Sequence, residues 1–466
     1  MTTTAVHADA RTAQHRRPRA APRWWGDAGG VAAAASLLVV TALWVSNDGL
    51  QDIAAGGSTA ITAIGRLAGL HASDLLLLQV LLMARIPLVE RAFGQDRLAR
   101  WHRWTGFTSF WLMLGHIVAI TVGYAAGNNV VVQLWDLILT YPGMLLAAAG
   151  AVSLLLVVVT SVRAARRRLR YESWHLLHLY AYLGVGLALP HQIWTGEDFA
   201  GSVAARAYWW TLYGVAACAV LAYRIGLPVL RNRRHRLVVS GVVPEGPGLT
   251  SVYLSGERLG ELPARAGQFF HWRFLDGAGW TRANPFSLSA TPRGDLLRIT
   301  VKDQGDGSSR IATLRPGTKV LFEGPFGKLT GEHYQGGPVV MMACGVGITP
   351  LLSLLGELPY RAGEATLIYR ARSEEDLAFR SELEWFAAER GVRVVPMTGH
   401  RADRASWLPR EFAGQDDAEA LRRAAPQIAA ARVYICGPGE WAAAARAAAL
   451  QAGVRANYVH TELFAW

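Results

Sequence analysis

Four stretches of this chain, Ala28–Asn47, Trp104–Tyr124, Tyr141–Val162 and Trp174–Trp194, contain no Asp, Glu, Lys or Arg, and each is long enough to cross a bilayer. Nothing else in the sequence limits the fold as strongly. Inside hydrocarbon every backbone polar group must be satisfied within the segment, so these stretches are helices. Ala207–Tyr223 makes another span, extended by Ile225–Leu230 beyond Arg224. Leu75–Ala84 is apolar but is closed by Arg85 and Glu90, so it reads either as a span with Arg85 at the interface or as a buried or interfacial helix. Six spans result. The basic clusters Arg16-Arg17-Arg19-Arg23, Arg91-Arg97-Arg100-Arg103, Arg163-Arg166-Arg167-Arg168-Arg170 and Arg231-Arg233-Arg234-Arg236 recur every second span. The positive-inside rule then puts both termini in the cytoplasm of a multi-pass plasma-membrane protein. Residues 1–27 read as a basic cytosolic tail, with no small-residue cleavage site before the first span.

The net charge of +12 raises nucleic acid as a partner, but the Arg clusters border apolar runs instead of forming a separate basic face, so membrane lipid is the expected neighbour. The three cysteines, Cys218, Cys344 and Cys436, are far apart and form no CxxC. That excludes a four-cysteine iron–sulfur cluster, a zinc ribbon and a CxxCH haem attachment.

After residue 232 the pattern changes. Short runs such as Ser251-Val252-Tyr253-Leu254, Phe269–Trp272 and Leu297–Val301 alternate with Gly and Pro turns, which predicts an antiparallel β-barrel over 233–333. From 334 to 466, strands alternate with helical stretches, the pattern of a doubly wound α/β domain. The fold class is therefore a multi-domain membrane protein, with a helical bundle over 28–232, a barrel and a nucleotide-binding domain.

Within the spans, His102 and His116 lie 14 residues apart, and His178 and His191 lie 13 apart, with His175 one turn from His178. Imidazole at membrane depth is a candidate axial haem ligand. Fourteen helical residues rise about 21 Å, room for two stacked haems. The two spans run in the same direction, so His102 pairs with His178 and His116 with His191. Thirteen residues leave bearings about 140° apart on a straight helix, and Pro190 is the residue that could re-aim His191.

In the barrel, Asn284-Pro285-Phe286-Ser287 follows Arg282 and offers a ring and a hydroxyl suited to an isoalloxazine. Lys302, Gly307, Ser308 and Ser309 offer close backbone approach and donors to a pyrophosphate. Cys344-Gly345-Val346-Gly347-Ile348-Thr349-Pro350 joins an apolar strand to a helix, with Gly345, Gly347, Thr349 and Pro350 placed to receive a phosphate. Arg370 and Arg372 stand where a 2′-phosphate would lie, favouring NADPH over NADH. Cys436-Gly437-Pro438 ends another strand at the same edge.

These motifs, in this order, resemble the ferric reductase and NADPH oxidase family from about residue 70 onward. Asn284 departs from that family's usual His. The carried-over motifs include Tyr171-Glu172 through His191, Gly324–Gly327 and the ending Glu462-Leu463-Phe464. The resemblance implies FAD, two b-type haems and a pyridine nucleotide, with a terminal aromatic, Phe464 or Trp466, covering the flavin. Ser287, Cys436 and Phe464 then stand closest to hydride transfer, and His102, His116, His178 and His191 are the metal ligands. The implied function is transmembrane electron transfer from NAD(P)H to ferric chelates. The alternatives are superoxide production from dioxygen, or service to a separate redox partner protein. No EF-hand loop is present, so calcium control is not expected.

Overall fold

The computed structural model describes residues 24–162, 171–277, 280–305 and 308–464. The N-terminal basic cluster, the basic stretch 163–170, Gly307 and Trp466 lie outside these. The long helices are α1 (Trp24–Ser46), α2 (Gly57–Met83), α3 (Gln95–Ala125), α4 (Met144–Ser161), α5 (Tyr171–Trp194) and α6 (Val203–His235). All of them except α5 meet the length and apolarity needed to cross a membrane. α5 is 24 residues long, with Pro190 inside it.

α2 begins at Gly57, 18 residues before the apolar run expected for the second span, and ends before Arg85. The sequence hid this start behind Arg66 and Asp74. The Arg66 Nε donates to Asp198 at 2.7 Å and its Nη1 to Asp52 at 3.0 Å. Asp74 accepts hydrogen bonds from Ser36 of α1 and Tyr208 of α6. Charged side chains in a span are accommodated by such partners on other helices.

Two tight helix pairs build the bundle. A Cβ added at Gly65 of α2 would lie 3.0 Å from the Cβ of Ala119 on α3. In the other pair, a Cβ at Gly150 of α4 would lie 2.8 Å from the carbonyl oxygen of Gly184 on α5. Between helices in lipid there is little hydrophobic drive, and small residues let backbones approach closely enough for dispersion to hold them.

α6 passes directly into the extramembrane half. Its last turn is pinned there by Asn232, whose Nδ2 donates to the Phe322 carbonyl at 2.8 Å while its Oδ1 accepts from the Phe322 N–H at 2.9 Å. The strands β1 (Val238–Gly246), β2 (Leu249–Ser255), β3 (Phe269–Phe274), β4 (Asn284–Ser287), β5 (Leu296–Lys302) and β6 (Val320–Phe326) follow. They form two antiparallel sheets, β1-β2-β5 and β4-β3-β6, linked by bridges at Val238↔Lys319 and Leu288↔Ile299. Burial alternates strictly along β3 and β6, as a period of two requires, and Phe270, Trp272, Phe274, Phe322, Leu288 and Ile299 fill the space between the sheets.

The last domain is a parallel sheet of order β11-β10-β7-β8-β9, with β7 Val339–Cys344, β8 Ala365–Arg370, β9 Arg393–Met397, β10 Arg432–Pro438 and β11 Val459–Phe464. Helices α7 (Ile348–Glu357) and α8 (Arg380–Arg390) cover one face. Helices α9 (Asp417–Ala424) and α10 (Gly439–Gln451) cover the other.

The two extramembrane domains are clamped by Arg298 of β5, 7% exposed, whose guanidinium grips both carboxylate oxygens of Glu382 on α8 at 2.9 and 3.2 Å. Breaking a buried pair strands the other charge. Arg298→Met should therefore destabilise the extramembrane half by about 3–5 kcal/mol, read as a clear fall in its thermal midpoint. An unchanged midpoint would show that the clamp contributes nothing.

Candidate functional site

All four span histidines line one cavity of about 1830 Å³ between the α2–α3 pair and the α4–α5 pair. Their rings are held from behind. The Nδ1 atoms of His102, His116 and His191 lie 3.2, 2.8 and 2.5 Å from the carbonyl oxygens of Gln79, Gly65 and Ala188. A carbonyl only accepts, so each Nδ1 carries the proton and each Nε2 is left as a bare donor atom for a metal. His178 Nδ1 lies 3.3 Å from Ser161 Oγ, and its ring is covered by Trp174 at 5.0 Å. The His102 and His178 ring centroids are 5.9 Å apart. That separation suits one metal ion between two imidazoles, at bond lengths of about 2 Å as for zinc. At the other level, a Cβ on Gly69 would stand 2.5 Å from His116 Nδ1, so only glycine leaves that ring its place. The donor set and the shape both fit haem. Despite the thirteen-residue spacing on α5, His178 and His191 line the same cavity, and Pro190 sits directly before His191.

The cavity runs on to the extramembrane domain, where His271, Arg273, Arg282, Asn284 and Glu323 line its mouth with Arg224 and His175. Sequence reading missed His271, Arg273 and Glu323, because only pairing of β3 with β6 brings them together. Burial alone would raise the Glu323 carboxyl, but Arg273, 2.6 Å away, over-compensates and holds it below the usual carboxylate range. His271 is pulled down to about 4 by burial, with Arg85 adding like-charge repulsion.

Ser287 is 4% exposed and its hydroxyl has no hydrogen-bond partner among the described residues, which fits a donor waiting for a flavin nitrogen or oxygen. Phe286 is half-buried beside it. Asn284 turns its amide to the carbonyls of Arg282 and Trp272 at 3.3 and 3.5 Å. The hydroxyls of Ser308 and Ser309 donate to the Gly305 carbonyl, and Lys302 lies 3.8 Å from Asp376. Pro285 is exposed.

At the nucleotide end, Gly345–Gly347 forms a single 3₁₀ turn before α7. A Cβ on Gly347 would lie 2.2 Å from the Cys436 carbonyl oxygen, and one on Gly437 would lie 2.9 Å from the Cβ of Cys344. The two glycine turns thus abut at the carboxyl ends of β7 and β10. That junction is where the strand order reverses, the place ligands occupy in doubly wound sheets. Thr349 donates to the Val346 carbonyl at 2.9 Å, and Thr349 and Pro350 are both buried in the first turn of α7. Burial pushes the Cys436 thiol well above its ordinary range, so it is present as a thiol and not as a nucleophilic thiolate. Pro438 pairs in register with Phe464 at the end of β11, which brings the chain's last strand to the same junction.

Arg370 is 4% exposed and donates to the backbone carbonyls of Trp407, Ala371 and Gly399. It braces the loop after β9 through these bonds. Arg372 is exposed and stays available.

Residues 68–189 match the family model of the ferric reductase like transmembrane component, and residues 341–447 match that of the oxidoreductase NAD-binding domain. The chain thus carries a ferric reductase-like transmembrane component and an oxidoreductase NAD-binding domain in one polypeptide. Its N-terminal half, with five helices long and apolar enough to cross a membrane, precedes a C-terminal half similar to ferredoxin–NADP reductases. Ferredoxin–NADP reductase B of Sorangium cellulosum is 31% identical over 189 residues, 38% of this chain and 77% of that protein. Flavohemoproteins of Xylella fastidiosa and Bacillus subtilis are 29% and 30% identical, over 49% and 47% of this chain. The chain spans 58% and 56% of those two relatives.

Outside the membrane, His460 is pulled down to about 4 by burial and by His333, which stacks on it at 5.6 Å. With His271 it makes a pair whose folded values lie below the ordinary 6.5. The unfolded chain therefore binds more protons than the folded one between pH 6.5 and 4, and stability must fall as pH drops through that window. We expect a loss on the order of 1–3 kcal/mol per histidine by pH 4, measured by denaturant unfolding of the extramembrane half. His460→Phe should flatten the profile, and an identical profile would show that His460 does not titrate as described.

Proposed function

We propose that this protein carries electrons from cytosolic NAD(P)H through FAD and two b-type haems to an acceptor on the opposite side of the membrane, most directly a ferric chelate. The single observation behind this reading is the continuous cavity that joins the Asn284 mouth to both histidine levels. In this reading α5 is the sixth span, both termini are cytoplasmic, and the domains run 1–27, 28–232, 233–333 and 334–466, the third a closed flavin barrel.

Bound flavin would take a hydride as two electrons and the haem irons would carry them singly. The chain's part is placement. Ser287 donates toward the flavin ring and Phe286 packs against it. Arg282, Lys302, Ser308 and Ser309, with Gly307, hold the pyrophosphate end. Gly345, Gly347, Thr349 and Pro350 open the helix terminus to the nucleotide phosphates, and Cys436, Gly437 and Pro438 close the nicotinamide side. Phe464 covers the flavin until the nucleotide arrives. His102 with His178, and His116 with His191, hold the two irons, whose Nδ1 anchors fix ring orientation.

Turnover assays distinguish the acceptors. Reduction of ferric chelate under argon supports the reductase, superoxide from NADPH and oxygen alone supports an oxidase, and failure of both points to a redox partner protein. The nucleotide preference rests on Arg370 and Arg372, of which Arg372 is the exposed one. NADPH should be favoured over NADH in kcat/KM, and Arg372→Ala should cut that preference about tenfold through loss of a charge-assisted pair. Equal use of both nucleotides by the wild type would refute it.

A further inference from the structure

Behind the histidine cavity, on the opposite side of α2, lies a second polar cluster that the electron path does not use. Asp74 is wholly buried. Its Oδ1 accepts from Ser36 Oγ at 2.8 Å and from Tyr208 OH at 2.7 Å, and those two hydroxyls are 2.7 Å apart. Its Oδ2 is buried with no hydrogen-bond partner among the described residues. Among the described residues no Lys or Arg forms an ion pair with it. The titratable groups facing the carboxyl are Tyr208 from α6 and His71 from α2, while α1 contributes the Ser36 hydroxyl. The His71 Nε2 is engaged by Thr41 at 3.0 Å. Asp74 is joined to the electron path through the backbone. Its neighbour Ser73 lines the cavity and accepts from Gln192 Nε2 at 3.0 Å.

A carboxylate with one bare oxygen and no cation at membrane depth is costly, and a proton on that oxygen removes the charge. Resting on the reading of the cavity as a haem site, we propose that Asp74 is a proton-binding site inside the membrane, filled as electrons accumulate in the neighbouring cavity. The step is a proton transfer. An O–H bond forms at Oδ2 with a proton from water, the hydroxide stays in the aqueous phase, and the retained electron originates from the nicotinamide. An electron added one helix diameter away, about 10 Å, raises a buried acid's affinity for a proton about tenfold at an effective dielectric near 20. Uptake of a proton offsets the charge that each electron brings into the bundle.

Reduced-minus-oxidised infrared difference spectra of the full haem-loaded chain test this, with haem midpoint potentials measured against pH. The expected result is a protonated-carboxyl C=O band that appears on reduction and shifts in deuterated water. It should vanish in Asp74→Asn and change frequency in Tyr208→Phe, which removes one donor but keeps the acid. The pH dependence of the potentials should flatten in Asp74→Asn and return in Asp74→Glu. A normal haem spectrum with no such band, or the same band in Asp74→Asn, overturns this proposal alone. Absence of any bis-imidazole haem absorption overturns both this proposal and the reading it rests on.

Discussion

Replacing His116 or His191 with alanine should remove one and the same haem, and replacing His102 or His178 should remove the other. Each variant should fall from about two haems per chain to about one. Flavin reduction by NAD(P)H should continue, because Ser287 and the glycine turns are untouched, while transfer across the membrane stops. The expectation follows from the bundle. His102 and His178 face each other at 5.9 Å from different helix pairs, so deleting either leaves a metal half-held. His116 is set by the Gly65 carbonyl and the missing Cβ of Gly69. Pyridine haemochrome counts and low-temperature difference spectra read the outcome. If His116→Ala and His191→Ala removed different haems, the pairing would be wrong, and if none of the four removed a haem, so would the ligand assignment.

The second large effect belongs to Gly347. A valine there would drive its Cβ toward a backbone oxygen 2.2 Å away, the carbonyl of Cys436, and backbone on two adjacent strands cannot yield as a side-chain tip can. The nucleotide turns would part by about an ångström, and misplacement of that size costs about 10²-fold in a positioned reaction. Stopped-flow reduction of the flavin by NADPH should slow by that factor, while dithionite still reduces the haems. Gly439→Ala, one residue past Pro438 with open space around it, should leave the rate near wild type. Equal rates for Gly347→Val and wild type would mean that this contact does not place the nucleotide.

The change from spans to short strands near residue 232 was readable from charge-free runs and turn residues alone. The four span histidines and the two glycine turns were readable too, since spacing and neighbours mark them. What failed did so for a common reason: a partner distant in sequence. Arg66 and Asp74 made α2 look short because Asp198 and Tyr208 stand more than 130 residues away. Arg370 carries the same guanidinium as Arg372, and only the fold shows that it also donates to the carbonyls of Trp407 and Gly399. Gln79 and Ser161, which support the histidines, carry no signal of their own.

The most direct test of the account uses proteoliposomes in which the extramembrane half faces outward and a membrane-impermeant ferric chelate is trapped inside. Addition of NADPH outside should reduce the trapped chelate, and His116→Ala should abolish that reduction while external flavin turnover persists. If only acceptors on the nucleotide side are reduced by the wild type, electrons do not cross the bundle, and the histidine cavity is not their path.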